Sequence, residues 1–186
     1  MVLALTRTLA FAAALLSATV VPATELMDYS CSKRNTLSGL QRQIERDLAA
    51  GGHVNLRGNC TGALVLRKDV TLSGDGRTTL ERAQAGTLLE VDHARVTLIN
   101  LGLNDGDITV HCRRGATCLL QSVRVHARHT GILVSEGSHL ELAESEVRAG
   151  DRTGLTVTNN ANALLLGRVT IDGEHQPTVL LSGTSS

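Results

Sequence analysis

Apolar and polar residues alternate along most of this chain. The alternation is clearest in four pairs of apolar residues that lie two positions apart. A period of two is typical of β-strands, whereas the apolar face of a helix repeats every three to four positions. Gly, Asn, Asp and Ser separate the short runs and leave no room for a helix of about ten residues. The pairs are Ile132 and Val134, Leu140 and Leu142, Leu155 and Val157, and Val169 and Ile171.

The alternating runs recur with a fixed period. Four consecutive segments start at Thr87, Ile108, Gly131 and Gly154 and contain 21, 23, 23 and 23 residues. A fixed period of about 20 to 50 residues indicates a solenoid, in which each turn buries its apolar face against its neighbours.

Aligning the segments groups their apolar residues into columns. One column contains Ile132, Leu155 and Thr178, and the next contains Val134, Val157 and Leu180. Such columns predict parallel strands stacked at roughly 4.8 Å. We therefore expect an all-β, right-handed parallel β-helix of about five or six coils, each of about 21 to 24 residues. The chain keeps neither the leucine-rich-repeat frame nor the six-residue period of a left-handed β-helix.

The stretch NTLSGLQRQIERDLAAGG carries the one clear helix signal. Ser38 and Gln41 offer a capping box, and Gly51 supplies a stop. We expect this helix, within residues 36–50, to cover the apolar end of coils that span residues 53–181. Its apolar face consists of Leu37, Leu40, Ile44 and Leu48.

The first 23 residues resemble a secretory signal peptide. They contain one cation, Arg7, then the apolar run LAFAAALL, and small residues at Val21 and Ala23. The run is shorter than the roughly 20 residues that a membrane span needs. We expect cleavage after Ala23, a secreted or periplasmic location, and no membrane span in the mature chain.

The mature chain, residues 24–186, is long enough for one domain. Loss of Arg7 leaves 17 Lys and Arg against 18 Asp and Glu. This balance predicts no electrostatic attraction to nucleic acid. Tyr29 is the single aromatic residue left among Phe, Tyr and Trp, so a sugar-binding surface would have to act through hydrogen bonds.

Four cysteines, Cys31, Cys60, Cys112 and Cys118, enter an oxidising compartment if the chain is exported. Two disulfides are expected, and three pairings are open. We favour Cys31 with Cys60 and Cys112 with Cys118. A zinc site is the alternative, but the cysteines lack C-x-x-C spacing.

A helix ending in AAGG, then HVNLRGNCTGALVLRKDVTLSGDG, then VTLINLGL resembles the opening of right-handed parallel β-helix proteins of the pectin-lyase-like superfamily. The resemblance covers about Thr36 to Leu181 and is specific for fold. It implies a polysaccharide lyase, hydrolase or epimerase, often with Ca²⁺, acting in a groove on one face of the coil. Function still has to be argued from a site.

No catalytic motif of that superfamily transfers to this chain. The R-x-P-x-x-R segment that pectate lyases share has no counterpart around Pro22 or Pro177. The N-T-D, D-D, G-H-G and R-I-K blocks of polygalacturonases and the D-P-H of alginate-modifying members are also missing.

Polar residues in the turns are the remaining catalytic candidates. The alignment places His129 near Asp151 or Arg152, an arrangement that permits acid and base chemistry. His129 and His175 are two turns, about 9.6 Å, apart, too far for ligands of one metal, and we expect no metal and no cofactor. The candidates are Asp105, Asp107, His129, Asp151 and His175.

A charged patch around Glu146, which also includes the candidate Asp151, and the remaining histidines are interpreted as a solvent-facing wall. Arg124 and Glu146 are expected to pair across neighbouring coils, with an energy of some tenths of a kcal/mol. The wall includes Glu141, Glu144, Glu146, Arg148, Asp151, Arg152, His53, His93, His111, His126 and His139.

Two functions follow from these observations. The first is an exported, non-catalytic module that binds a glycan or an envelope or extracellular protein, or has a structural role toward it. The second is a small polysaccharide-active lyase or hydrolase. In either case we expect the last coil, Val179 to Leu181, to present a strand edge that favours end-to-end self-association, unless the polar tail from Thr184 to Ser186 folds over it.

Overall fold

The computed structural model describes residues 25–31, 36–82, 84–174 and 178–182. These residues form a parallel β-solenoid of about 6 turns, with 59% strand and one short helix near the N-terminal end. The predicted fold class is therefore confirmed. No helix in the described ranges is long and apolar enough to cross a bilayer. The predicted signal peptide, His175 and the polar tail lie outside the described residues.

The elements follow one another in a fixed order. The helix α1 is Leu37–Asp47, and it lies between the first two strands. The strands are β1 (Leu26–Ser30), β2 (Gly52–Arg57), β3 (Asn59–Thr61), β4 (Leu64–Leu66), β5 (Val70–Ser73), β6 (Thr79–Glu81), β7 (Thr87–Asp92), β8 (Arg95–Ile99), β9 (Gly102–Arg113), β10 (Thr117–Gln121), β11 (Arg124–Val134), β12 (His139–Ala143), β13 (Glu146–Ala149), β14 (Leu155–Thr158), β15 (Asn162–Leu166), β16 (Thr170–Gly173) and β17 (Val179–Ser182).

Each turn contributes strand residues to three parallel stacks. The first stack runs in the order β1-β2-β5-β8-β10-β12-β15. The second contains β3, β6, the first halves of β9 and β11, then β13 and β16. The third contains β4, β7, the second halves of β9 and β11, then β14 and β17.

Inward-facing side chains form the core. In the first stack Leu98, Leu120 and Leu142 lie in register and are 1%, 2% and 0% exposed. Val134 and Val157, expected to face inward, are 0% and 6% exposed. Full burial of each such side chain contributes about 1.5 to 3 kcal/mol, so the columns hold successive turns together.

The last turn is shifted by one residue from the predicted alignment. Leu155 pairs with Val179 instead of Thr178, and Val157 pairs with Leu181 instead of Leu180. The preceding step, from Ile132 to Leu155, is 23 positions, whereas the step to Val179 is 24. The predicted alignment is therefore wrong for the final turn, because that turn is one residue longer than the constant period requires.

Strand β1 was not predicted. It pairs with β2 along its whole length, from Leu26 with His53 to Ser30 with Arg57. Its inward residue Tyr29 is buried, and the Tyr29 hydroxyl donates a hydrogen bond to the Thr36 carbonyl at 2.8 Å. This strand thus extends the first stack by one position beyond the first complete turn.

Helix α1 covers the third stack at this end of the solenoid. Leu37, Leu40 and Ile44 are at most 1% exposed. The predicted capping box is wrong, because Thr36 is the N-cap residue and makes no side-chain capping bond. Gln41 instead accepts a hydrogen bond from the Val65 amide at 3.1 Å, and so satisfies a backbone group on the edge strand β4.

Lys68 closes the other end of α1. The helix ends with Leu48 as its C-cap, three residues before the predicted stop at Gly51. The Lys68 ammonium donates hydrogen bonds to the carbonyls of Ile44, Glu45 and Leu48 at 3.2, 3.1 and 2.6 Å. A cation at this position also favours the negative end of the helix dipole.

The structure pairs Cys31 with Cys60 and Cys112 with Cys118, the connectivity favoured from the sequence. The first bond joins the residue after β1 to β3 in the first complete turn. The second lies inside the solenoid, where Cys112 and Cys118 are 0% and 1% exposed. Disulfides are typical of proteins in oxidising compartments.

We predict that Lys68→Met destabilises the fold by about 1 to 2 kcal/mol, because it removes the hydrogen bonds to the helix carbonyls. Urea unfolding of the mature chain checks this. Arg95→Met is the matched control, since it also removes one positive charge but no side-chain bond to a described residue, and it should change stability by less than about 0.5 kcal/mol. Equal losses in both variants would contradict the capping role.

Candidate functional site

Three of the five predicted candidates meet at the corner between the second and third stacks. Asp107, His129 and Asp151 come from successive turns. The His129 Nδ1 atom lies 2.5 Å from Asp151 Oδ1, and its Nε2 atom lies 3.7 Å from Asp107 Oδ1. The hydrogen bond from His129 holds the pKa of Asp151 below its usual value. We call these three residues the corner cluster.

Irregular backbone builds this corner. The pairing of β11 with β9 shifts register between His126 and Ala127 and again before Thr130. Asp105 adopts a φ of 67°, and a Cβ on Gly106 would lie 2.6 Å from the Ile108 carbonyl oxygen. The bulge therefore requires small or turn-forming residues in β9, and it directs residues after it toward the corner.

Asp105 takes part through its backbone. Its carbonyl accepts hydrogen bonds from Arg128 Nε and Nη2 at 2.9 and 2.6 Å, and its carboxylate makes no bond to a described residue. Arg128 also donates to the Gln84 carbonyl at 3.0 Å, and Asp107 Oδ2 accepts from the Gly86 amide at 2.6 Å. Part of this polar group therefore ties three turns together.

The corner cluster has limited chemical possibilities. Asp151 fixes His129 through Nδ1, whereas the 3.7 Å from Nε2 to Asp107 is too long for a hydrogen bond. Nε2 is thus positioned to exchange a proton with a substrate. The two carboxylates face opposite edges of the ring, so these three residues do not fit one Ca²⁺ or Zn²⁺ ion. Within the described ranges, no group of three or more His, Cys, Asp or Glu is placed to hold a metal.

The outer face of the second stack is a second candidate site, which was not predicted from the sequence. Two outward columns run along it, and every position in both is polar or glycine. A regular alignment of the turns could have revealed this property. We call it the polar face. Its columns are Asn59, Thr79, Gly102, Arg124, Glu146 and Thr170, and Thr61, Glu81, Asn104, His126, Arg148 and Asp172.

Several side chains of the polar face are free to bind a ligand, because they form no bonds within the described part of the chain. Asn104, His126 and Asp172 make no side-chain hydrogen bond or ion pair with any described residue. A shallow hollow of about 290 Å³ lies beside His126, Arg148 and Asp172. The expected Arg124–Glu146 ion pair is wrong: the two residues are in register, but Glu146 pairs with Arg148 at 2.5 Å.

Asp92 forms a third polar group, also missed, at the corner between the third and first stacks. Its side chain is 2% exposed and accepts bonds from Arg114 Nε at 2.6 Å and from the His93 ring at 2.8 Å. Arg67 Nε lies 3.4 Å away and Arg113 Nη2 lies 3.7 Å away. The alignment of successive turns places Arg67, Asp92 and Arg113 at equivalent positions. The proximity of these charges could therefore have been predicted from the repeat.

The cations around Asp92, with Arg114 first, hold the pKa of its carboxyl far below the usual value. The group crosses three turns and joins them at a corner where the backbone leaves the stacks. Since the Asp92 carboxylate is buried and already paired with these arginines and with His93, we assign it a role in the stability of the fold.

Comparison with protein-family models, with curated proteins and with solved structures gave no match. Function must therefore be inferred from the surfaces of this chain.

We predict that Asp92→Asn destabilises the fold by roughly 1 to 2 kcal/mol at pH 7, because it weakens the hydrogen bonds that the buried carboxylate accepts from partly exposed guanidinium groups. The unfolded chain protonates this carboxyl near pH 4, whereas the folded chain keeps it ionised to lower pH. The advantage of the native residue is therefore complete above that range and shrinks as the pH falls below it. Urea unfolding between pH 2.5 and 7 checks this.

Glu136→Gln, at the same corner two turns further along, is the control and should cost less than about 0.5 kcal/mol at every pH. A difference between native chain and Asp92→Asn that does not change with pH would contradict the assignment.

Proposed function

We propose that this chain is an exported, non-catalytic module that binds an extended, hydroxyl-rich polymer, a glycan, along the polar face. One observation carries the proposal. In the described part of the chain, the second stack is the one stack whose outward columns contain no apolar side chain. Outward apolar residues occur in the first stack, at Ile99 and Leu119, and in the third, at Val65 and Leu133.

The geometry of the polar face suits a periodic ligand. Parallel stacking places equivalent side chains roughly 4.8 Å apart along the axis, which is similar to the length of one sugar residue in an extended glycan. Asn104, His126, Arg148 and Asp172 occupy successive steps of one column. They offer amide, imidazole, guanidinium and carboxylate groups to successive hydroxyls.

The composition of the face sets the expected affinity. Tyr29, the one Phe, Tyr or Trp residue in the described ranges, is 6% exposed, so stacking of such a ring on a sugar does not contribute there. Individual hydrogen bonds to an exposed ligand contribute little. Affinity should therefore rise with the number of sugar residues that contact the column at once.

Family and location belong to the same proposal. The parallel solenoid and the helix over its N-terminal end support a relationship to the pectin-lyase-like superfamily. The two disulfides and the predicted signal peptide support a secreted or periplasmic protein.

A second candidate function rests on the corner cluster. Its Asp151–His129 pair leaves Nε2 available as a general base, next to a hollow of about 390 Å³ that includes Thr130, Asp151 and Thr156. This arrangement favours a polysaccharide lyase or hydrolase, in which His129 would remove or supply the proton. We rank this function second, because the neighbouring side chains of Asp107 and Arg128 are hydrogen-bonded to backbone groups of the corner and are not free to bind a substrate.

We predict that the mature chain binds members of a panel of neutral and uronic-acid oligosaccharides, with affinity that increases with chain length. The double variant Asn104→Ala, His126→Ala should weaken binding at least 10-fold, the loss expected for about 1.4 kcal/mol. Isothermal titration calorimetry measures it. Both side chains lack bonds to described residues, so the unfolding free energy should be nearly unchanged.

The control is Thr97→Ala, Gln121→Ala, which changes outward residues of the same two turns on the first stack and should alter binding less than twofold. Equal weakening in both doubles, or no binding to any member, would contradict the proposal. The same mixtures are followed for reducing ends and unsaturated products. Turnover that is lost in His129→Asn and kept in the polar-face double would establish the second candidate instead.

A further inference from the structure

The two disulfides differ in how easily a thiol can reach them. Cys112 and Cys118 are 0% and 1% exposed, so both sulfur atoms of that bond lie inside the solenoid. Cys60 is also 0% exposed, but its partner Cys31 is partly exposed at the margin of the core. Thiol–disulfide exchange requires a thiolate to contact one of the two sulfur atoms. The Cys31–Cys60 bond is therefore the one that a reductant can attack while the chain stays folded.

Strand β1 depends on this bond for its attachment. In the described ranges β1 pairs on one side alone, with β2, whereas a strand inside the first stack such as β8 pairs on both sides. Tyr29 is the one buried residue among the five of β1. The bond from Cys31, the residue after β1, joins this strand to β3 across 29 positions.

β1 covers the last inward residues of the first stack. Met27 and Tyr29 are in register with Val54 and Leu56 of β2, which are 0% and 1% exposed. Loss of β1 would expose both side chains and leave the backbone edge of β2 unpaired. The position of β1 therefore decides whether this end of the first stack is closed or open.

We propose that the Cys31–Cys60 bond is a thiol-exchange site, and that its reduction by a dithiol releases β1 and opens the first stack at β2. One thiolate of the dithiol attacks Cys31 Sγ and the bond between the two sulfur atoms breaks. Cys60 leaves as a thiolate and takes up a proton, because burial disfavours the charged form. The second thiol of the reductant then displaces Cys31 from the mixed disulfide. The products are two cysteine thiols and one oxidised dithiol.

The opening is local, because the later turns do not contact β1 through any strand pair. Strands β5 to β17 keep their own pairing, and the buried Cys112–Cys118 bond stays closed. On the polar face, Asn104 lies two turns beyond Thr61, the residue after Cys60. The inference therefore does not rest on glycan binding, and glycan binding does not rest on it.

The first test locates the reduced bond. The mature chain is treated with dithiothreitol in the absence of denaturant, and free thiols are alkylated and identified by mass spectrometry. Cys31 and Cys60 should be alkylated while Cys112 and Cys118 remain joined. Equal alkylation of all four cysteines, or earlier alkylation of the buried pair, would overturn the inference.

Hydrogen exchange then shows whether β1 leaves. The Cys31 amide donates to the Arg57 carbonyl at 2.8 Å, across the junction of β1 and β2, and the Thr117 amide donates to the Ala94 carbonyl at 2.9 Å in the middle of the first stack. Reduction should speed exchange at Cys31 at least about 100-fold, the order expected when a loop of this length is no longer closed. Exchange at Thr117 should change less than about twofold. Unchanged exchange at Cys31, or loss of protection at Thr117 as well, would overturn the inference.

Tyr29 provides a readout that needs no label, because it is the one Tyr in a sequence without Trp. Acrylamide should quench its fluorescence more strongly in the reduced chain, and reoxidation should restore the original quenching. The double variant Cys31→Ser, Cys60→Ser should show the reduced level with no reductant present. Quenching in this variant equal to that of the oxidised native chain would contradict the release of β1.

Discussion

The structure depends on apolar side chains from successive turns that contact one another inside the solenoid. Leu98, Leu120 and Leu142 illustrate the arrangement, since each packs on the equivalent residue one turn away and none is more than 2% exposed. Parallel backbone pairing sets the spacing of the turns, and the inward columns set their register. A slip of one residue would turn the whole column outward, so the alternating pattern and the stacking specify each other.

The same constraint creates the surfaces. When inward residues form columns, outward residues must form columns too. Polar side chains such as Asn104, His126 and Arg148 are therefore regularly spaced along the outer face because of the stacking itself. The corners obey a different rule. There the backbone leaves the stacks, and buried or clustered charges, Asp92 with its arginines and Arg128 with the carbonyls around Asp105, join adjacent turns where strand pairing is interrupted.

The sequence was sufficient to predict whatever depends on alternation and period. The all-β solenoid, the inward positions of Val134 and Val157, and the apolar face of α1 could all be predicted from side-chain spacing. The register of the last turn could not, because one extra residue in a corner leaves no mark on the alternating runs. Strand β1 was missed because five residues before a helix carry too little periodicity.

Contacts between residues that are distant in sequence are the second kind of feature that could not be predicted. Lys68 and Gln41 satisfy backbone groups across the junction of α1 and the first turn, and no local pattern announces either contact. The convergence of His129 with Asp151 followed from the repeat, but the backbone role of Asp105 depends on a bulge in β9. The strand edge at Val179 to Leu181 was anticipated from the sequence, and in the described part of the chain β17 pairs on one side alone, with β14.

The most direct test of the inward columns is a pair of substitutions in adjacent turns of the first stack, measured by urea unfolding. Leu142→Ala removes an inward side chain and should cost about 2 to 5 kcal/mol. Leu119→Ala removes an outward leucine from the neighbouring strand and should cost less than about 1 kcal/mol. Equal losses, or a larger loss for Leu119→Ala, would contradict the account of an apolar ladder that holds the turns together.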